Sequence, residues 1–198
     1  RVFDRADRRV WEMDGTGAVT RFGYDRNGNV TKVIRHDVRV PPSSAPGALP
    51  GAGSARVTEQ VYDAANRLTY SINAQGGVTR WAYDNAGRVT RQVEYAQTRS
   101  PVPDADPATR STPSQLDGWR TALVESNAAN RQQWWGHDAA GRTRFHIDAD
   151  RSVTEHVYDD AGQVRRSTRY AQLAPVAGVA ALGERPTLQS LGNLVDRN

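Results

Sequence analysis

The sequence predicts an all-β fold made of repeated antiparallel β-hairpins, with about 21 residues for each pair of strands. Three observations support this prediction. An aromatic–aspartate pair recurs at a fixed spacing, turn residues follow every copy, and the segments between turns are rich in Val, Thr, Tyr and Trp. Turn signals that recur at short, regular intervals are typical of strands joined by hairpins, and these side chains favour strands.

The aromatic–aspartate pairs follow one spacing along the chain. The intervals from Phe3 to Tyr24, from Tyr62 to Tyr83 and from His137 to Tyr158 have the same length. The two remaining intervals, from Tyr24 to Tyr62 and from Tyr83 to His137, contain the same unit with a further segment inserted. Self-similarity at a fixed period is the signature of a repeat architecture.

Each pair opens a turn of the form Asp-x-x-Gly. The aspartate can accept a hydrogen bond from the backbone two residues on, and the glycine can take a positive φ. Asp7 and Asn66 replace the glycine in two copies, and these residue types tolerate the left-handed region best. We predict that the repeat depends on Tyr24, Asp25, Gly28, Tyr62, Asp63, Asn66, Tyr83, Asp84, Gly87, His137, Asp138, Gly141, Tyr158, Asp159 and Gly162.

A second turn follows midway between one aromatic–aspartate pair and the next, and its weakest copy spans 148–151. The strands between the turns have no fully apolar face. Thr79, Trp81 and Tyr83 share one side, whereas Arg80 stands between a valine and an alanine on the other. A compact sandwich needs one apolar face that is shielded from solvent. We therefore predict a curved sheet with both faces partly solvent-exposed, or with one face lining a cavity.

The repeat divides the chain into hairpin segments and inserts. We predict hairpins over residues 1–37, 57–96 and 131–170, a Pro/Gly-rich insert over 38–56, an insert with a short helix over 97–130, and an insert or tail with a helix over 171–198. Asp117 is the predicted N-cap of the first helix, and Leu188, Leu191 and Leu194 have helical spacing in the tail. "VEYAQ" (93–97) returns as "TRYAQ" (168–172), which indicates a larger module of two hairpin units and an insert.

The composition limits the classes of function. The net charge is +4, but the arginines alternate with acidic residues and Lys32 is the only lysine, so no basic stripe for nucleic acid is predicted. No apolar run approaches the roughly 20 residues that span a bilayer. Cysteine is absent, which excludes disulfides and thiolate zinc sites.

The sequence predicts no catalytic, metal or cofactor site. The histidines are His36, His137, His146 and His156, and two of them have a nearby aspartate. Such pairs can bind a metal or move a proton, but a histidine in a strand is more often an ordinary half-exposed residue. The sequence motifs of the common hydrolases and the phosphate-binding loop are absent.

The aromatic residues support two interpretations. At repeat spacing, Trp81, Trp134 and Trp135 with the tyrosines could form a ladder that contacts glycans. Aromatic residues at such a spacing more often pack between neighbouring hairpins. We favour the packing interpretation and keep glycan contact as the alternative.

The pattern Tyr-Asp-x-x-Gly-Arg-x-Thr resembles the YD-repeat, or Rhs, family over residues 1–37, 57–96 and 131–170, most closely in "YDNAGRVTR" (83–91). The resemblance implies a spiral of β-strands that builds a hollow shell. In bacterial members the shell encloses a C-terminal toxin delivered by secretion or injection machinery, and relatives include the cocoons of insecticidal toxin complexes and teneurin shells. The family's Asp-Pro-x-Gly autocleavage motif is absent, since "DPATR" (106–110) lacks the glycine, and no toxin domain is visible.

This resemblance leads to a functional hypothesis. The chain is expected to be a non-catalytic fragment of an Rhs shell that encapsulates a toxin or effector of the same polypeptide for secretion or contact-dependent delivery. Its expected partners are the remaining shell repeats, the cargo and the secretion machinery, and its expected location is secreted or at the cell surface after a cytoplasmic stage. Because the sequence begins at Arg1 it reads as an excerpt, so a missing signal peptide carries no conclusion. The alternative is an extracellular adhesion module that binds glycans or a partner protein through the aromatic strands or the inserts.

Overall fold

The computed structural model describes residues 1–41, 43–48, 55–101, 107–108, 110–123 and 127–195. Its strands form one sheet in which neighbours in sequence are neighbours in space. This confirms the predicted all-β fold of repeated antiparallel hairpins. The strands are β1 (Val2–Phe3), β2 (Arg9–Met13), β3 (Val19–Tyr24), β4 (Val30–His36), β5 (Ala55–Tyr62), β6 (Leu68–Ile72), β7 (Val78–Tyr83), β8 (Val89–Glu94), β9 (Arg131–His137), β10 (Thr143–Ile147), β11 (Val153–Tyr158) and β12 (Val164–Arg169).

The described residues also contain three helices, α1 (Pro113–Leu123), α2 (Val176–Ala180) and α3 (Leu188–Gly192). The chain divides into two compact units, Arg1–Thr79 with Gln97–Ser126, and Arg80–Ala96 with Asn127–Asn198. The first unit contains β1 to β6, the beginning of β7, and α1. The second unit contains the rest of β7, β8 to β12, α2 and α3. In the described part of the chain, none of the helices has the length and apolar character of a membrane span.

The turns between strands close as their residue types predict. Gly28, Gly87, Gly141 and Gly162 have φ between 81° and 87°, and Asp7 and Asn66 take the same left-handed conformation at 58° and 59°. The weak copy at 148–151 also closes, because the Arg151 N–H donates to the Asp148 carbonyl at 2.8 Å and Arg151 takes φ of 69°. The turn conformation therefore outweighs the preference of arginine for negative φ.

A register irregularity marks the anchor aromatics. The pairing of β3 with β4 shifts between Gly23 and Tyr24, and the pairings of β5 with β6 and β11 with β12 shift immediately before Tyr62 and Tyr158. A β-bulge re-aims the side chain beside it. In each case the extra residue lies in the following strand, next to the residue that pairs with the anchor aromatic.

One face of the sheet is covered by the inserts in each unit. In the first unit Trp11 and Val19 pack against Val40. In the second unit Trp134, Phe145, Ile147 and Val153 pack against the tail that contains α2 and α3, including the buried Leu191. We call this side of the sheet the covered face and the opposite side, which carries Phe22 in β3 and Trp81 in β7, the open face.

The covered face also contains buried charge. Lys32 and Glu59 are fully buried and pair across β4 and β5. The Ser111 hydroxyl donates to Glu59 Oε2 at 2.6 Å, and Arg99 Nη1 donates to Ser111 Oγ at 2.8 Å. A buried charge needs partners and hydrogen bonds, so this network fastens the second insert to the first unit.

The predicted start of α1 at Asp117 is wrong. The helix begins at Pro113, because Thr112 and Gln115 form a reciprocal cap: the Gln115 N–H donates to Thr112 Oγ1 at 3.3 Å and the Thr112 N–H donates to Gln115 Oε1 at 2.9 Å. Proline at the first helical position suits such a start. Asp117 lies inside the helix, where its carboxylate accepts a hydrogen bond from the Tyr70 hydroxyl.

The tail forms two short helices where the spacing predicts one. Thr187 caps α3 with a full capping box through Ser190, and the helix ends before Leu194. Leu194 and Val195 still pack against the core of the second unit although they lie beyond the helix. The first tail helix, α2, has no leucine periodicity and was not predicted.

Candidate functional site: the repeated turn and the two sheet faces

The aspartate of each repeat closes its turn through side-chain hydrogen bonds. Asp84 Oδ1 accepts the N–H groups of Ala86 and Arg88, both at 2.9 Å, and Asp84 Oδ2 accepts Arg88 Nε at 2.6 Å. The partner arginine four residues on recurs in the pairs Asp4–Arg8, Asp63–Arg67 and Asp138–Arg142. In the turn of Asp25, Asn29 takes the place of the arginine.

These contacts keep the turn carboxylates charged. Burial pushes the pKa of Asp84 up, but backbone and side-chain hydrogen bonds from Arg88 outweigh it, and the pKa lies below its ordinary value. The pKa values of Asp63 and Asp138 are lowered in the same way, and that of Asp4 is lowered mainly by the Arg8 side chain. At neutral pH these aspartates are hydrogen-bond acceptors, not proton donors.

The turn arginine connects one hairpin to the next. The Arg8 guanidinium lies 4.7 Å from the centre of the Tyr24 ring, and its Nη1 donates to the Asp25 carbonyl at 2.9 Å. The Tyr24 hydroxyl donates to the Arg9 carbonyl at 2.8 Å. We call this set of contacts the turn clasp. It couples the turn of one hairpin to the anchor aromatic of the following hairpin.

The turn clasp recurs in the second unit. The Tyr158 hydroxyl donates to the Thr143 carbonyl at 2.7 Å, and the Arg142 guanidinium lies 4.5 Å from the Tyr158 ring centre. The ring nitrogen His137 Nε2 bonds to the Val89 carbonyl at 2.9 Å. His137 thus makes the contact that tyrosine makes elsewhere, although an insert separates it from β8.

The remaining predicted anchors have different contacts. The Tyr62 hydroxyl donates to Gln60 Oε1 at 3.0 Å, and burial raises the pKa of Tyr62. Tyr83 is the last residue of β7 and is half-buried. The Asp159 carboxylate accepts the Gln163 N–H at 2.8 Å, so glutamine follows this turn in place of arginine. The pattern Tyr-Asp-x-x-Gly-Arg-x-Thr contains the turn arginines four residues after the aspartate, but their role in joining hairpins was not predicted.

Each insert begins with the same backbone contact. The carbonyl of the fourth residue in the second turn accepts an N–H from the insert that follows. The Val40 N–H donates to Gly17 at 2.9 Å, the Arg99 N–H to Gly76 at 2.8 Å, and the Ala174 N–H to Arg151 at 2.9 Å. The separation along the chain is the same in all three pairs. The inserts are therefore hydrogen-bonded to equivalent residues of the repeat. The sequence shows this equivalence as a constant separation between each second turn and the insert that follows it.

The open face of the second unit carries a row of aromatic and amide side chains. Trp81 Nε1 donates to Gln92 Oε1 at 3.2 Å, and Gln92 pairs across the strands with Gln133. His146 bonds to Gln133 Oε1 at 3.1 Å and stacks on the Trp135 ring with 5.1 Å between centroids. Burial lowers the pKa of His146; the Asp148 carboxylate opposes this shift, and the neighbouring His156 adds slightly to it.

The three tryptophans proposed for glycan contact are on different faces. Trp81 and Trp135 are half-buried on the open face. Trp134 is only 3% exposed on the covered face, where its Nε1 donates to the Gly183 carbonyl at 3.2 Å. A ring enclosed in this way offers no surface to a sugar, so Trp134 is unsuited to the predicted glycan contact, and Trp81 and Trp135 remain its candidates.

No metal centre forms from the histidines in the part of the chain that the structure describes, since no group of three His, Cys, Asp or Glu residues there could hold an ion. His36, His137, His146 and His156 lie in four different strands. The stretch at 106–110 that was compared with the autocleavage motif lies partly outside the described residues.

A family model described as RHS Repeat matches residues 56–100, which include β5 to β8 with the anchors Tyr62 and Tyr83. The chain thus carries an RHS repeat over residues 56–100. This confirms the resemblance inferred from the Tyr-Asp pattern. No curated protein matches this Rhs-repeat chain in sequence.

The Rhs-repeat chain is similar in fold to parts of much larger solved structures. One is the crystal structure of TcdB2-TccC3-TEV, at 14% identity and a TM-score of 0.54, covering 88% of this chain and 8% of that one. Another is the Tc holotoxin pore of Photorhabdus luminescens with the TccC3 mutation D651A, at 16% identity and a TM-score of 0.49, covering 83% of this chain and 7% of that one. The Rhs-repeat chain thus spans less than a tenth of the length of either.

Proposed function

We propose that this chain is a wall segment of an Rhs shell that encloses a toxin or effector of the same polypeptide, and that it carries out no catalysis itself. The turn clasp is the observation that carries the proposal. Because it joins the turns of Asp4, Asp84 and Asp138 to the anchor of the following hairpin, it lets hairpins that cannot bury their own faces stabilise one another. A series of such hairpins extends into a wall.

The repeat architecture supports a modular wall. The proposed modules are the hairpin segments 1–37, 57–96 and 131–170, each followed by its insert at 38–56, 97–130 and 171–198. Each insert begins with the same backbone hydrogen bond to its own module. The predicted turn and anchor residues are proposed to serve this structure, with no role in catalysis.

The exposed strand β12 supports further repeats as partners. Most of its residues are exposed, and Val164 is 53% exposed. Lys32 and Arg91, the counterparts of Arg166 in the repeat, are buried under the strands that follow them. An exposed edge strand readily pairs with another strand, so the natural neighbour of β12 is a strand of the next repeat.

We further propose that the whole protein is exported. The proposed partners are the remaining shell repeats, the enclosed toxin cargo and a bacterial secretion machinery. The proposed location is secreted or cell-surface, after a cytoplasmic stage before export. The shell would keep its cargo apart from the producing cell until delivery.

A second candidate function is adhesion through glycans. It is favoured by the position of Trp81 and Trp135 on the open face beside amide side chains, since aromatic rings with neighbouring hydrogen-bonding groups suit sugar rings. Glycan-array binding that is lost in Trp135→Ala and retained in Trp119→Ala would favour this candidate. Absence of binding by the folded chain would reject it.

The shell proposal is tested on the full-length protein by limited proteolysis and intact mass. We expect a large resistant shell that retains a separate, protected C-terminal fragment. The heat-denatured protein serves as the matched control and should lose both pieces at the same protease concentration. Free digestion of the C-terminal part in the native protein, or the absence of a separate fragment, would overturn encapsulation.

A further inference from the structure

The first unit contains a cavity of about 420 Å³ on the sheet. Its lining includes Trp11, Phe22 and Tyr24, together with Gly47 and Pro107 of the two inserts. Arg21 also lines this cavity. The cavity therefore combines aromatic walls with a cationic group, a composition suited to a small polar ligand or a side chain.

The other polar groups of the lining already have partners. Trp11 Nε1 donates to the Ala48 carbonyl at 3.0 Å, the Tyr24 hydroxyl donates to a backbone carbonyl, and Arg8 pairs with Asp4 at 2.7 Å. Arg21 is half-buried, and its side chain makes no hydrogen bond or ion pair with the residues that the structure describes. A guanidinium that has lost part of its water without gaining a partner is an unused donor.

The equivalent positions in the other repeats show which group pairs with the residue at the position of Arg21. Arg80 stands three residues before its anchor tyrosine, as Arg21 does, and its Nη2 lies 2.7 Å from Glu184 Oε1. In the third copy the residue is Glu155, whose Oε1 lies 2.9 Å from Arg144 Nη2. The second unit thus closes an ion pair at this position twice, whereas the first unit presents its arginine to the cavity.

We propose that the cavity of the first unit binds a carboxylate through Arg21, in the way that the Glu184 carboxylate binds Arg80. A planar guanidinium suits a carboxylate because two parallel N–H groups can bond its two oxygens. The Trp11 ring, which lies across the strands from Arg21, limits water around the pair, and this strengthens the attraction. The ligand is an acidic peptide side chain or a small carboxylic acid, and this inference is independent of the shell proposal.

The experiment titrates the ¹⁵N-labelled chain and follows the arginine Nε–Hε resonances by NMR. The probes are acetyl-Gly-Glu-Arg-amide, which copies the segment around Glu184, its matched glutamine peptide acetyl-Gly-Gln-Arg-amide, and acetate. We expect the glutamate peptide to bind about tenfold more tightly than the glutamine peptide. Arg21→Gln should abolish this preference, whereas Arg35→Gln, which alters an exposed arginine on the open face of β4, should retain it.

The outcomes distinguish a small carboxylic acid from an acidic peptide as the ligand, and they can also reject the proposed site. Acetate binding as tightly as the glutamate peptide would assign a small acid, and weaker acetate binding would assign an acidic peptide segment. Equal affinity for the glutamate and glutamine peptides, no saturable binding, or an unchanged preference in Arg21→Gln would overturn the proposal. If Arg21→Gln fails to fold, Arg21→Lys replaces it: loss of the planar fork should reduce the preference severalfold.

Discussion

At the scale of single residues, the repeat depends on one carboxylate whose two oxygens make different contacts. Oδ1 of Asp84 holds the backbone of the turn, and Oδ2 holds the arginine that reaches the next hairpin. Asn73, in a second turn, accepts the Gln75 and Gly77 N–H groups through Oδ1 and has no second acceptor oxygen. A turn closes when one side-chain oxygen accepts the backbone N–H groups. Joining the turn to the next hairpin also needs a second oxygen that binds the arginine.

Replacing Asp84 should separate these two functions. Asp84→Asn keeps the acceptor for the backbone and loses the ion pair, so we expect a loss of about 0.2–1 kcal/mol in the free energy of unfolding. Asp84→Ala removes both and should cost about 1–3 kcal/mol. Urea unfolding of both variants measures the difference. Equal losses in the two variants would show that the turn contacts contribute nothing beyond the ion pair.

Gly17 should tolerate a side chain less than Gly28 does. Both have positive φ, 83° and 87°, but a Cβ on Gly17 would lie 2.0 Å from the Val40 carbonyl oxygen, and one on Gly28 would meet nothing within 4 Å. Gly28→Ala should cost about 1–2 kcal/mol from left-handed strain alone. Gly17→Ala should cost about 2–4 kcal/mol, because it also displaces the insert. Thermal unfolding of the two variants checks this, and similar melting temperatures would contradict it.

At the scale of elements, the hairpins could be predicted from the sequence and the helices only in part. The turns follow local chemistry: Asp, Asn and Gly stand where the backbone needs them. The start of α1 was misplaced because its Thr112–Gln115 cap lies in a Pro/Ser/Thr-rich stretch that reads as loop. The short tail helix α2 is held by tertiary packing of Val179, which a single sequence does not display.

The packing of α3 predicts a large effect of one leucine. Leu191 is fully buried and lies against Gly136 of β9, so Leu191→Ala should leave a cavity and cost about 2–5 kcal/mol. Leu173→Ala, at a position in the same insert that is 48% exposed, should change the stability by less than about 0.5 kcal/mol. Urea unfolding followed by tryptophan fluorescence gives both values. A small effect of Leu191→Ala would mean that the tail does not stabilise the second unit.

His146 should make the second unit sensitive to mildly acidic pH. Its folded pKa lies below the ordinary value because burial outweighs the opposing effect of the Asp148 carboxylate, so the unfolded chain binds the proton more readily. Stability is therefore complete above about pH 6.5 and falls as the pH drops through the folded pKa. His146→Gln should flatten the stability between pH 7 and about pH 5. An unchanged pH profile would show that His146 is not responsible.

At the scale of the whole molecule, the arrangement of the periodic hairpins could be predicted from the sequence. The spacing of the Tyr-Asp pairs predicted the order of the hairpins, and the structure agrees. Which face the inserts cover could not be predicted, because Arg21, Arg80 and Arg91 stand among the apolar residues of the face that the inserts cover. Lys32 and Glu59 were indistinguishable from solvent-exposed residues until their pairing across β4 and β5 was known. The place of Arg21 beside a cavity likewise depends on inserts that carry no repeat.

The repeated turn carboxylates should set the acid limit of stability. Asp63, Asp84 and Asp138 have lowered pKa values, so the folded chain binds fewer protons at these groups than the unfolded chain does. Their stabilisation is present above about pH 5 and is lost as the pH falls below about pH 4. Urea unfolding between pH 6 and pH 3 should show a steeper loss for the natural chain than for Asp84→Asn. Asp160→Asn, at an exposed turn position, is the control and should leave the slope unchanged.

The burial of Lys32 gives the chain an unusual response to amine chemistry. It is the only lysine of the sequence, and its side chain has no exposed surface. Acylating reagents and lysine-specific proteases therefore find no lysine side chain on the native surface. Acylation or cleavage at Lys32 requires separation of β4 from β5, so its rate reports the opening of the first unit. One natural residue thus serves as a built-in reporter of unfolding.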